Sequence, residues 1–281
     1  MPVQTFLLAV VPALLIAAAV LAALWRPWIK GDRPRPRWAG AVALAAAVIV
    51  ADPLVNRNWP GLWNAEEQRR VWIVALLAMV VAIVDAVQNG RIRRTGWAWA
   101  AGAVIMAPAL GAAILQLDVG SILRWVLYAG AVVLLWSEVG AASERVPGPQ
   151  VPLILSIAAA WAALVIIQSY SLSMGLMAAA VGAGMGAFAA MAFWRPQMGS
   201  VTAAMPVYAG VIAALLAAST QTFMEGKILV VASAATPCLL GRGPIAKLNP
   251  WLGAIICGLM TAALAAWALK YTPGGYQFGE G

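Results

Sequence analysis

Histidine is absent from the 281-residue chain. Its absence removes imidazole haem ligation, Glu-x-x-His di-iron sites, histidine proton relays and Ser-His or Cys-His nucleophile pairs. Cysteine is scarce: Cys238 and Cys257 are the only two, too few for a zinc or iron–sulfur centre without ligands from another chain, and they imply no disulfide framework. Charge is scarce as well, at 10% of residues against about a quarter in an ordinary soluble domain. With 63% hydrophobic residues and a mean hydropathy of +0.87, a water-soluble globule is excluded. The 26 glycines and 17 prolines follow no period, which sets aside collagen, and the hydrophobicity is too high for disorder. Neither a cofactor nor a metal is expected.

What the chain does contain is long apolar runs. A helix crosses a hydrocarbon core of about 30 Å with about 17 to 25 such residues. Ten runs can be drawn, at approximately 4–25, 38–55, 71–88, 97–117, 121–142, 151–169, 172–194, 200–221, 226–240 and 250–270. They predict an all-α, polytopic transmembrane bundle forming one integral membrane domain over 1–281. The run at 226–240 is short, so nine spans is the alternative count. These segments lack the period-2 alternation of barrel strands and are about twice their length. The first run has no basic residue before it and a positive cluster after it, the reverse of a signal peptide, and reads as a retained span with its N-terminus outside. The longest connections, 26–37 and 56–70, leave no room for a soluble domain.

Charge is distributed unevenly over the connections. Twelve of the eighteen Lys and Arg residues fall on one side: Arg26, Lys30, Arg33, Arg35 and Arg37, then Arg91, Arg93 and Arg94, then Arg145, Arg195, Arg242 and Lys247. The positive-inside rule makes that side cytoplasmic in an inner (cell) membrane. The net charge of +8 is thereby directed at anionic lipid headgroups rather than at nucleic acid. The first connection interleaves Arg26, Lys30, Arg33, Arg35 and Arg37 with prolines and with Trp25, Trp28 and Trp38. It reads as a lipid-facing anchor, the alternative being a segment that docks a partner. The 56–70 connection, with Trp59, Trp63, Glu66, Glu67, Arg69 and Arg70, reads as an interfacial element; a lid over an outward cavity is the alternative.

Motifs for chemistry are missing. There is no GxxxxGK[ST] phosphate loop, no Asp-rich pair for magnesium pyrophosphates and no carboxylate dyad, so an enzyme is not expected and no catalytic residue is assigned. The glycine cluster near 182–186 lies inside an apolar run. Gly175, Ala179, Gly182 and Gly186 recur at three- or four-residue spacing, the pattern of a close helix–helix contact; a ring-shaped ligand against the backbone is the alternative.

Two acids lie within the runs. Asp85 and Glu138 each stand about five to six residues from their span's midpoint, about 8 Å at 1.5 Å per residue, and are candidate intramembrane ionisable groups. The bland alternative makes them interfacial, with Arg91, Arg93 and Arg94 reaching back to Asp85. Asp52, before Pro53, reads as an interfacial acid in reach of Arg57. Pro108, Pro206 and Pro237 fall inside runs, where proline removes a backbone hydrogen bond that lipid cannot replace. Pro108 and Pro237 are candidate helix breaks. Met106-Ala107-Pro108 and Ala235-Thr236-Pro237 correspond if the chain is a five-plus-five inverted repeat. Trp25-Arg26-Pro27 and Trp194-Arg195-Pro196, with Gly90-Arg91 and Gly241-Arg242, support an incompatible scheme that pairs spans one to four with seven to ten.

Ten helices in a chain of this length with minimal loops resemble the drug/metabolite transporter group in helix number and length. That resemblance implies a small-molecule permease built from two inverted halves. Two functional readings follow: a transporter using Asp85 or Glu138 as a proton- or cation-sensing carboxylate, or a non-catalytic subunit or scaffold that packs against a membrane-protein partner or a second copy of itself.

Overall fold

The structure, a computed structural model, describes residues 3–26, 28, 36–56, 70–115, 119–169, 172–196, 200–219, 222–240 and 242–272. Among them are ten helices: α1 (Val3–Trp25), α2 (Ala39–Asn56), α3 (Arg70–Val87), α4 (Trp97–Leu115), α5 (Val119–Arg145), α6 (Gln150–Gln168), α7 (Leu172–Trp194), α8 (Met205–Ala218), α9 (Met224–Ala235) and α10 (Pro250–Ala268). No strand occurs among the described residues. Each apolar run is therefore helical, and five helices, α1, α5, α6, α7 and α10, are long and apolar enough to cross a membrane.

The differences from expectation lie at prolines and helix ends. The eighth helix starts at Met205 rather than 200, so Pro206 sits in its first turn instead of its interior. There a proline's missing N–H would have had no intrahelical acceptor anyway. Pro108 does not break α4, which continues through it to Leu115. At Pro237 the α-helix gives way to a 3-10 turn over Thr236–Leu239. The sequence carried no sign of the π turn at Leu135–Val139, inside α5.

Successive helices run antiparallel and gather their connections at two ends. At one, Trp25 Nε1 donates to the Pro36 carbonyl, Gly40 lies beside Phe188 and Ala204, and Arg93 meets Glu144. At the other, Ser169 meets Ser219, Thr272 donates to Gln168 Oε1 and the Phe223 N–H donates to the Tyr271 carbonyl. The described part of the predicted cytoplasmic set, including Arg26, Arg37, Arg91, Arg94, Arg145, Arg195, Arg242 and Lys247, lies at the first end, called the basic end below. Lys30, Arg33 and Arg35, and the 57–69 segment with Arg57, Trp59, Trp63, Glu66, Glu67 and Arg69, lie outside the described residues.

One continuous apolar core draws on all ten helices. Its centre is α8, where every residue from Met205 to Leu216 is buried. Small residues make this possible: α7 lies against α6 along the Gly175, Ala179 and Gly182 stripe. A Cβ at Gly175 would collide with Ile167 Cγ1, and one at Gly182 would stand 3.1 Å from the Ser156 carbonyl. Ser156 Oγ donates to the Gly182 carbonyl at 2.7 Å. Gly186, further along the stripe, sees only Ser156 Oγ, at 3.6 Å. The stripe is thus a backbone-to-backbone contact of the small-residue kind. Gly184, on another face of α7, admits Leu44 of α2. Two buried tyrosines satisfy their hydroxyls across the core: Tyr208 donates to the Leu155 carbonyl at 3.1 Å and Tyr128 to the Leu216 carbonyl at 3.5 Å.

The outer faces are apolar as well. Phe6, Leu7, Leu8, Val11, Leu14 and Leu15 of α1 are exposed, as are Ile122, Leu123, Val126 and Leu127 of α5 and Leu252, Ile255 and Leu259 of α10. A protein dissolved in water rarely carries apolar surface this extensive.

Candidate functional site

The charged side chains of the basic end are tied together through the last turns of α5. Helix α3 closes there with two left-handed residues, Asn89 (φ 56°) and Gly90 (φ 78°), and the Gly90 N–H donates to the Asp85 carbonyl at 2.8 Å. The Asp85 side chain is buried, and its Oδ1 accepts the backbone N–H of Arg93 at 3.1 Å. The carboxylate therefore caps the turn between α3 and α4 through a main-chain group, not through the guanidinium groups expected to reach back to it.

Freed from Asp85, the Arg93 guanidinium crosses to α5. Nη2 pairs with Glu144 Oε1 at 2.7 Å, with the arginine side chain 6% and the glutamate side chain 43% exposed. Two glycines make room. A Cβ at Gly90 would stand 3.2 Å from Nε and one at Gly140 would stand 3.2 Å from Nη1. Neither Nε nor Nη1 has a hydrogen-bond partner among the described residues. Thr202, just ahead of α8, lies 3.3 Å from Glu144 Oε1, 3.0 Å from the Gly140 carbonyl and 3.2 Å from Ser143 Oγ. Helices α3, α5 and α8 are thereby joined around one ion pair.

Glu138 sits in the π turn of α5, one helical turn and a half before Glu144. Its Oε2 pairs with Arg242 Nη1 at 2.7 Å, and the two side chains are 40% and 49% exposed. The π turn packs against the 3-10 turn that ends α9. Beneath that break, Thr236 Oγ1 lies 2.6 Å from Thr261 Oγ1 of α10, and Thr261 reaches the carbonyls of Cys257 at 2.9 Å and Ser233 at 3.3 Å. Threonine hydroxyls thus serve the Ser233 carbonyl that Pro237, having no N–H, leaves without its helical donor. Cys238, on the 3-10 turn, and Cys257, buried in α10, are both free thiols.

Asp85 and Glu138 are consequently not brought together; each has its own basic or amide partner, and α5 carries the acid of both ion pairs. The partnerships of Glu144 with Arg93 and of Glu138 with Arg242 escaped sequence reading because they span 51 and 104 positions, with nothing local to mark them. Asp52 is buried near the end of α2 opposite the basic end, and Arg57 lies outside the described residues. In the basic connection, Arg26 (φ 44°) follows the anchored Trp25, whose ring meets Phe188 edge-on at 5.8 Å, and Arg37 is exposed. Among the described residues no three acidic or cysteine side chains gather in the way a metal ion needs. Compared with known proteins, the chain matches no family model, no curated protein and no solved structure.

Proposed function

We propose that this chain is an inner-membrane protein with its basic end in the cytoplasm and its N-terminus outside, and that it is a small-molecule or ion permease rather than an enzyme. The observation that carries the reading is the meeting of two interrupted helices, the π turn of α5 and the 3-10 turn of α9, bridged by the part-exposed Glu138–Arg242 pair. π turns and broken helices recur where membrane proteins bind or move small solutes. The packing of α2 on α7 and of α3 on α8, together with the hairpins α1–α2, α6–α7, α4–α5 and α9–α10, supports the five-plus-five arrangement. In that arrangement α9 corresponds to α4, which stays helical through Pro108, so the break in α9 has no counterpart there and meets the π turn of α5 by packing alone. Glu138 is then the proton- or cation-responsive carboxylate, and Asp85 a cap.

The second reading, a membrane subunit or scaffold with a protein partner or a second copy, is favoured by one specific feature: the long apolar faces of α1, α5 and α10. Flux separates the two. With the protein in liposomes enclosing a pH-sensitive dye, Glu138→Gln abolishes proton- or cation-dependent flux and Asp85→Asn leaves it. Absence of flux in wild type and variants alike, with a stoichiometric partner co-purifying in mild detergent, overturns the permease. Orientation is read by single cysteines at 33, 64, 93 and 274 in a cysteine-free background. An impermeant thiol reagent on intact cells labels 64 and 274 only; labelling of 33 or 93 reverses the topology.

A further inference from the structure

The turn between α3 and α4 carries three arginines, and the structure gives them different work. Arg93 is withdrawn into the bundle by Glu144, while Arg91 and Arg94 stay exposed and pair with no acid among the described residues. Beside them is an open cavity of about 480 Å³ lined by Gln88, Asn89, Arg91, Ile92, Thr95 and Trp97. That volume lies within the range of about 300–1,000 Å³ common to small-ligand sites. Its lining contains no acidic residue, and its polar side-chain groups are one guanidinium, two carboxamides, a hydroxyl and an indole N–H.

Position narrows the ligand. The cavity lies where the outward apolar faces of α3 and α4 end: Val80, Val84 and Val87 on one side, Trp97 and Trp99 on the other, with Val87 68% and Trp97 72% exposed. Tryptophan at a helix end marks the headgroup level of a bilayer. A ligand filling this space meets the Arg91 guanidinium and the apolar side chains of Ile92 and Trp97 in the lining, with Val84 and Val87 exposed on the neighbouring face of α3, which is the amphiphilic division of a lipid.

We infer that the α3–α4 turn is a binding site for the phosphate group of an anionic phospholipid, held by Arg91 with Arg94 beside it and with its acyl chains along Val84, Val87 and Trp97. The inference rests on the membrane reading above. It goes beyond a general attraction of basic loops to the cytoplasmic leaflet, because it assigns a particular cavity and two particular side chains.

The full chain is reconstituted into bilayers of equal phosphatidylcholine and phosphatidylglycerol, released gently, and its retained lipids counted by native mass spectrometry. The wild type retains phosphatidylglycerol in preference to phosphatidylcholine. Arg91→Gln with Arg94→Gln weakens that retention by about 30-fold, the loss of two arginines' attraction at the surface. Arg91→Lys with Arg94→Lys keeps it, which separates lost charge from lost folding. Arg26→Gln with Arg37→Gln, elsewhere on the basic end, leaves it unchanged. Equal retention of both lipids, or an equal loss in the Arg26/Arg37 variant, overturns the site. So does displacement of the lipid by millimolar inorganic phosphate, which assigns the cavity to a soluble phosphate. A chain that never enters the bilayer fails differently, by removing the membrane reading itself.

Discussion

The two ends of the bundle are held by different chemistry. At the basic end, α5 is joined to connections 51 and 104 positions away by the ion pairs Arg93–Glu144 and Glu138–Arg242. At the opposite end the described cross-links are neutral: Ser219 bridges Ser169 Oγ at 2.8 Å and Thr222 Oγ1 at 2.7 Å, and Thr272 donates to Gln168 at 3.0 Å. The neutral end also has the closer backbone packing, since Gly175 lies at that end of α7. The Glu138–Arg242 pair, half-exposed on both sides, holds weakly and responds to salt, whereas buried hydroxyl bonds and backbone contact do not. The difference leaves one end held in part by a salt-sensitive pair and the other by contacts that salt does not reach.

This contrast can be broken most forcefully from the neutral side. Gly175→Leu drives a side chain into Ile167 and the Ala163 carbonyl, which lies 2.9 Å from the position of a Cβ. The expected loss is about 3 kcal/mol, seen as a lower thermal midpoint in detergent, because backbone cannot step aside as a side-chain tip can. A variant as stable as wild type would show that α6 and α7 are not locked together there.

Arg93→Ala comes next. It strands Glu144 and empties the space between Gly90 and Gly140. Removing one partner of a fully buried pair costs about 3–5 kcal/mol, but water reaches the 43%-exposed Glu144, so about 2 kcal/mol is expected. Arg93→Ala with Glu144→Ala should recover part of that loss, and a double variant no better than the single would deny the coupling.

Ser219→Ala, on the neutral side, removes the middle of a hydroxyl chain and is expected to cost about 1 kcal/mol, independent of salt. Thermal midpoints taken across a salt series check it; a salt-dependent loss would place this end in the same class as the other. The smallest effect belongs to Glu138→Gln, about 0.5 kcal/mol or less at low salt and nothing measurable at high salt. A large loss there would mean that the pair is structural and would weaken its assignment to transport.

How much of this was legible in advance differs element by element. The ten helices follow from run length, since an apolar segment that must satisfy its own backbone has few choices but a helix. The Gly175–Gly182 contact was legible too, because small residues at helical spacing admit a neighbour whichever helix it proves to be. Pro108 and Pro206 show where the reasoning stops. A proline removes one hydrogen bond, yet whether the helix ends, bends or starts there depends on what packs around it. The π turn in α5 had no signal at all: its residues, Leu135 to Val139, look like any other stretch of a span.

The sequence by itself determined that the chain is built from apolar helices and that positive charge is concentrated at alternate connections, because these depend only on local composition and chain order; that the short run at 226–240 is a helix of its own was settled by the structure. Only the tertiary structure decided which acid meets which base. Asp85 became a cap because the chain reverses at Asn89 and Gly90 and presents the Arg93 amide to it. Glu138 and Glu144 became partners of Arg242 and Arg93 because α9 packs against the π turn of α5 and the α3–α4 turn lies beside its last turns, and an ion pair depends on separation in space, of which separation along the chain carries no record.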